Sequence, residues 1–192
     1  MLERELTADL GMSRTPVREA LVRLQHENLL QLIPRHGMRV VPLSLDDLRD
    51  VYEVLTALEL TAIERLARSK PEGHVFGTID AALDAMDDAL RKRDRDAWMA
   101  ADERFHRTVI DLCGNPRLKA SADVLWDQSH RARITTVRLR PDLRPSNAEH
   151  RAVVEAIRRG DWREARARHL EHRVRTSREI LDLLEQYRLS RV

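Results

Sequence analysis

Cysteine occurs once, as Cys113, in a chain of 192 residues. A lone thiol excludes an internal disulfide framework and fits a reducing compartment, so a cytoplasmic protein is expected. Long apolar runs are absent: no stretch approaches the roughly 18 residues that a membrane helix needs, and the N-terminus lacks a secretory pattern. Low-complexity tracts and internal repeats are missing. So is an excess of charge, since 34 Lys and Arg against 32 Asp and Glu leave a formal net charge of +2. That excludes a polybasic chain which coats nucleic acid by charge alone. β-type runs are confined to residues 30–42. What remains, 42% hydrophobic and 34% charged, is a soluble globular profile with many solvated helical faces, long enough for one or two domains.

The most structured signal lies early. Leu2, Leu6 and Leu10 are spaced by four in a short helical stretch, and Gly11 follows where a left-handed helix stop is wanted. Ser13 and Thr15 then offer oxygens to the free amides of a new helix, with Pro16 at an early position where a missing N–H costs nothing. Val17, Ala20, Leu21 and Leu24 form an apolar stripe, and Arg14, Arg18 and Arg23 lie off it. Helix, glycine turn and capped second helix make a helix-turn-helix. Its second helix would hold its back in a core and turn a cationic start outward, the build of a helix that enters the DNA major groove. Leu30–Ile33 and Met38–Pro42 flank Pro34-Arg35-His36-Gly37, a hairpin with Gly37 supplying turn flexibility and Arg35 at the tip. An arginine there typically leans on phosphate or enters the minor groove. Residues 1–43 hold six Arg against five acidic residues, so placement rather than total charge carries the DNA reading.

Beyond Ser44, which with Asp47 forms a helix-cap pair, the chain reads as helices only. The expected spans are 45–69, 78–92, from Asp94 or Asp96 to Leu112, 117–139, a helix opened by Ser146-Asn-Ala-Glu149 as a capping box, and one from Asp161 to about Leu189. Six helices with short connections imply an antiparallel bundle. The predicted fold is thus mainly α: a winged helix-turn-helix over residues 1–43, then an all-α six-helix bundle over 44–192.

Some polar residues fall on apolar faces. Trp98, Asp102, Phe105, His106, Val109 and Cys113 share one face of the third bundle helix, with Asp102 and His106 four residues apart. His150 shares a face with Val153, Val154 and Ile157. In the last helix Trp162, Ala165, His169, His172, Thr176, Ile180, Leu183 and Tyr187 step by three or four. Taken singly, each is more plainly a satisfied polar pair or a packed imidazole. A carboxylate and several imidazoles on the inner faces of three helices form a constellation that suits zinc, nickel, manganese or iron. Unpaired, the same groups would be costly to bury.

The run ERELTADLGMSRTPVREALVRLQHENLLQLIPRHGMRVVPLS, with its SRTPVREAL core, closely resembles the winged helix-turn-helix of GntR-family bacterial transcription regulators. The resemblance implies that Arg14 and Arg18 read bases or phosphates, that Ser13 and Thr15 meet phosphate, and that Gly37 shapes the wing. In that family a further helix and a Pro-Gly turn come before the point where this chain begins, so part of the DNA domain is expected to be missing from it. Residues 45–189 resemble the FCD ligand-binding domain of the FadR-like subfamily, through DLRDVYEVLTALEL, ADERFHRTVIDLCGN, SNAEHRAVVEAIRRGD and REARARHLEHRV. Six helices rather than seven is similar to its VanR-like branch.

In metal-binding members the ligands are an Asp-x-x-x-His pair and two later histidines. By resemblance these are Asp102, His106, His150 and His172, holding zinc first, with nickel or manganese next. His169 stands one turn before His172, where the family usually has an apolar residue, and stays outside the ligand set. Leu55-Thr56 stand where many members carry an arginine, so an acid effector must be held otherwise here. Arg133, in step with Ser129 and Thr136, is one candidate clamp. The resemblance implies a homodimeric repressor that binds double-stranded operator DNA, controlled by a small carboxylic acid at a metal-containing pocket. The alternatives are a regulator sensing the ion itself, a metal that only staples the bundle, or a metal-dependent hydrolase. The last lacks an evident general base and would leave the DNA motif idle.

Overall fold

A computed structural model of the chain describes residues 3–33, 36–42 and 44–189. Arg35 and Leu2, both used in the sequence reading, lie outside these residues. The described residues fall into two compact units, one within residues 1–43 and one from Ser44 onwards.

In the first unit α1 (Glu3–Leu10) ends in a left-handed glycine, Gly11, with φ 62°. The Gly11 amide donates to Ala8 O and the Met12 amide to Thr7 O, which satisfies the last carbonyls of the helix. Helix α2 (Arg14–His26) follows, with Ser13 in extended conformation at its N-cap. The Ser13 hydroxyl makes no capping bond. The reason is local: Pro16 occupies the third helical position, so the amide that such a cap most often serves is absent. Strands β1 (Leu30–Ile33) and β2 (Gly37–Val40) pair antiparallel with Leu30 opposite Val40 and Ile33 opposite Gly37. Gly37, at φ 85°, takes a backbone conformation that a side chain would strain. Val17, Leu21 and Leu30 form the small core, with Leu6, Leu24 and Met38 packed around it. Ala20, expected in the buried stripe, is exposed, and so is Leu10.

The second unit contains six helices: α3 (Leu45–Ser69), α4 (Phe76–Lys92), α5 (Arg95–Leu112), α6 (Pro116–Thr136), α7 (Arg144–Arg158) and α8 (Trp162–Gln186). Local chemistry sets most of the boundaries. Ser44 and Asp47 form a reciprocal capping box on α3, Asp94 caps α5 through the Ala97 amide, Asn115 caps α6, and Asp161 caps α8 through the Glu164 amide. The helix α7 departs from expectation. It opens three residues early, at Arg144, with Pro145 in the first turn, so Ser146 and Glu149 lie inside the helix rather than boxing its start. Instead Ser146 Oγ accepts from Arg140 (3.2 Å) and Arg175 (2.9 Å). At the far end of α8 the buried position is Leu184, and Tyr187 is exposed.

Helix α3 packs against α5, α6, α7 and α8, with α4 against α5 and α7. One apolar cluster joins α3, α4, α5 and α7 through residues such as Ile63, Ile79, Met86, Trp98, Phe105 and Ile157. A second joins α3, α5 and α6 through Leu55, Ala62, Ile110, Leu118, Ala122 and Trp126. The Trp98 indole donates to Asn147 Oδ1 (2.8 Å), and Asn147 donates to Asp87 (2.6 Å), tying α5, α7 and α4 together at a fixed rotation. Ile79 has no exposed surface. Ile79→Ala should therefore cost about 2–5 kcal/mol, a transfer plus a cavity term, read as a lower urea midpoint at unchanged slope.

Candidate functional site

Helices α5, α7 and α8 bring Asp102, His106, His150 and His172 into one buried cluster. It sits between the two apolar clusters: the His150 ring lies 4.2 Å from the Phe105 ring, and His106 lies 5.0 Å from Trp126. Ligand atoms of His106, His150 and His172 all fall within 4.8 Å of one another. Asp102 Oδ1 accepts from His150 Nε2 at 3.0 Å and lies 3.9 Å from His106 Nε2. Donor atoms that share one ion, each about 2.1 Å from it, stand roughly 3–3.5 Å apart; the Asp102–His150 separation falls in that range and the Asp102–His106 separation is wider, so the other side chains would have to draw inward on an ion. The sequence spacing is what aims them: Asp102 and His106 are one turn apart on the same face of α5.

The imidazoles are backed by carboxylates. His172 Nδ1 donates to Glu149 Oε2 at 2.6 Å, which fixes the tautomer and leaves Nε2 bare. His106 Nδ1 lies 3.3 Å from Glu59 Oε1. A carboxylate behind a histidine is the usual way in which a metal-binding imidazole is oriented. Burial pushes the His106 imidazole down to about 4 and the His172 imidazole well below its ordinary value. Both are therefore neutral near pH 7, the state a metal requires. Burial also works to raise Asp102, but the His150 hydrogen bond and the nearby Arg133 guanidinium outweigh it and keep the carboxylate ionised.

Glu59 is the residue that the sequence reading missed. It lies on α3, is 2% exposed, and meets His106, His169 Nε2 (2.9 Å) and Arg173 Nε (3.1 Å). Arg173 holds its carboxyl well below the usual range against the opposing effect of burial. Glu59, His106 and His169 form a second converging trio that shares His106 with the first. The signal was present in the sequence, because Leu55, Glu59 and Ile63 step by four along the apolar stripe of α3. Arg173 was missed in the same way, four residues after His169. Glu149 was read as a cap and instead binds His172 and Arg175.

Arg133 is buried. Its Nη2 donates to Asp102 Oδ2 at 2.7 Å, its Nη1 reaches Glu103 at 3.4 Å, and its guanidinium lies 4.2 Å from the Trp126 ring centroid. The neighbouring Ser129 and Thr136 hydroxyls bond the backbone of their own helix. A cavity of about 20 Å³ adjoins the cluster, lined by Tyr52, Asp102, His106, Arg133, His172 and Arg173 among others. In the first unit Ser13, Arg14, Thr15 and Arg18 are all exposed around the start of α2, and Arg39 pairs with Gln31 across the hairpin at 3.0 Å.

Residues 50–175 match the FCD domain, and residues 1–40 match the bacterial regulatory proteins of the gntR family. An HTH-type transcriptional regulator from the TAR-I ttuE-ttuC' intergenic region of Agrobacterium vitis is 43% identical over 110 residues, 56% of this chain and 64% of that protein. The chain thus spans less than two thirds of that relative's length. The protein of Paenarthrobacter nicotinovorans named Probable D-xylose utilization operon transcriptional repressor is 31% identical over 162 residues, 83% of this chain and 69% of that one. The Escherichia coli protein McbR/YncC shares the fold at a TM-score of 0.85 and 23% identity, covering 97% of this chain and 87% of its own. A metal-free FCD domain, TM0439, superposes at a TM-score of 0.62 with 22% identity over 75% of this chain and 98% of its own. Among the described residues no helix is long and apolar enough to cross a membrane. The chain belongs to the GntR family of bacterial regulatory proteins, in the group that carries an FCD domain.

Proposed function

We propose that this regulator is a homodimer whose affinity for double-stranded operator DNA is set by a small organic acid bound at a divalent metal in the helical bundle. The observation that carries the reading is the convergence of His106, His150 and His172 inside the bundle, with the Asp102 carboxylate against His150 and near His106. These four residues would hold the ion, zinc before nickel or manganese, because imidazole nitrogen and one carboxylate suit such borderline cations. When bound, the ion supplies a Lewis-acid anchor for a carboxylate and neutralises a second negative charge. The chain's own groups do the rest. Glu149 keeps His172 Nε2 turned inward, Glu59 keeps His106 in place from behind, and Arg133 fixes the Asp102 carboxylate from the side away from the imidazoles.

The adjoining cavity of about 20 Å³ has room for about one water molecule. An organic acid must therefore part the helices that line it, and this supports a two-state bundle. The acid can shift DNA binding only through its different affinity for those states. On the DNA side we propose that Arg14 and Arg18 read the major groove, that Ser13 and Thr15 contact phosphate, and that the wing with Arg35 and Gly37 contacts the minor groove or backbone. Two such heads on a symmetric operator require a dimer.

Elemental analysis of the wild type should give close to one metal per chain, lost in the Asp102→Ala, His150→Ala double variant. Wild-type protein that takes up no zinc, nickel or manganese would remove the metal from this reading. Glu59→Gln should weaken the metal affinity about 10–100-fold by releasing His106, checked by competition with a chromogenic chelator. Arg18→Ala should weaken operator binding by about 1–3 kcal/mol if it reads a base, and an unchanged gel-shift affinity would take Arg18 out of the reading set.

A further inference from the structure

Arginine fills the site unevenly. Three guanidiniums line the inner cavity, those of Arg133, Arg140 and Arg173. Two of them are fully engaged: Arg133 with Asp102 and Glu103, and Arg140 with Glu179 (3.0 Å) and Ser146 (3.2 Å). Arg173 differs. Its Nε lies 3.1 Å from Glu59 Oε2 as an ion pair, but neither Nε nor Nη2 makes a hydrogen bond although the residue is 5% exposed. The Tyr52 hydroxyl, on a residue 3% exposed, is also without a partner. Leaving one such group unsatisfied in a protein interior costs about 1–3 kcal/mol, more when it is charged. Two orphaned donors in one cavity wall call for an acceptor.

These two side chains also occupy a second position. Tyr52, Arg173 and Ser177 line both the inner cavity and a surface groove of about 300 Å³ between α3 and α8, whose other walls include Thr56, Val174 and Leu181. The pair therefore separates the buried cluster from the outside. Burial pushes the Tyr52 phenol up, so it stays a donor across the physiological range.

We infer that Tyr52 and Arg173 are the carboxylate-binding pair of this domain, taking the acid's head group at the cavity wall while its body lies in the groove between α3 and α8. This rests on the reading of the bundle as an effector domain for small acids, and it answers the lack of an arginine at Leu55-Thr56 by supplying one from α8. A phenol O–H and a guanidinium N–H on one wall can donate to the oxygens of a carboxylate, and charge-assisted bonds of this kind are the strong ones. The α3 and α8 helices are the ones that must move apart, because they carry the two donors. An ordered water would satisfy the same donors without any anion, and the experiment separates the two cases.

The full chain is titrated calorimetrically with butyrate, a carboxylate with a short apolar tail, and with inorganic phosphate, both zinc-loaded and after chelator treatment. Metal content is measured on the same samples. Tyr52→Phe, nearly isosteric and leaving the Glu59–Arg173 pair intact, should weaken butyrate binding about tenfold, the loss of one hydrogen bond to a charged group. Arg173→Gln should weaken it further, with the metal content of the Tyr52→Phe variant unchanged. Butyrate binding that survives metal removal and still depends on Tyr52 supports the pair even if the metal reading fails. Wild-type protein that ignores butyrate in both states, or binds it with no loss in either variant, overturns the inference while leaving the metal measurement standing. Phosphate bound as tightly as butyrate and lost in the same variants would overturn the assignment to carboxylates.

Discussion

Two carboxylates, Glu59 on α3 and Asp102 on α5, lie inside a helical bundle where an ion alone would be costly to bury, and the rest of the site is arranged to hold them. Each has one guanidinium: Arg173 from α8 beside Glu59, and Arg133 from α6 on Asp102. Each also faces imidazoles. Because the partners come from different helices, the charges fix the relative rotation and height of α3, α5, α6 and α8 more sharply than apolar packing would. Breaking one buried pair costs far more than the pair contributes. Such a core trades stability for a single arrangement, and it leaves a polar chamber in the middle of the unit.

The pairing divides the imidazoles by role. His172 has its Nδ1 on Glu149, and His106 has its Nδ1 beside Glu59 and its Nε2 3.9 Å from Asp102 Oδ1. His169 spends its Nε2 on Glu59 instead. That explains how a fourth imidazole can stand one turn from His172, with rings 5.8 Å apart, without facing the same centre. A cation at Glu59, His106 and His169 would have to sit against the Arg173 guanidinium, which disfavours that trio as a metal site.

Helix number and most helix starts were legible in the sequence because they rest on local chemistry: Ser44, Asp94, Asn115 and Asp161 cap what their neighbours make helical. The start of α7 was not, since Ser146 and Glu149 satisfy a capping pattern locally but are taken by Arg140, Arg175 and His172 in the fold. Local patterns lose when distant partners offer charge-assisted bonds. The inward residues of α5, α7 and α8 were legible from period alone. Glu59 and Arg173 were equally periodic and were passed over, because a single acid or arginine in a stripe gives no hint of its partner. Tyr52 falls on the apolar stripe of α3 by its spacing, and only the geometry reveals its unanswered hydroxyl.

The closed state of the chamber bears on how such a domain can signal. Were the cavity roomy, an acid could enter and leave without disturbing the helices, and it would stabilise the domain without changing its shape. With space for about one water, entry and displacement are the same event. The groove between α3 and α8 and the inner chamber meet at Tyr52 and Arg173, so whatever draws those two side chains together or apart also sets the spacing of the two longest helices in the unit. Each of these helices runs for 25 residues, so a small rotation at the site becomes a larger displacement at their ends. The α3 N-terminus begins directly at Ser44, where the helical unit takes over from the DNA-reading one. Helix α3, which carries Tyr52 and Glu59, therefore follows directly in sequence on the first unit.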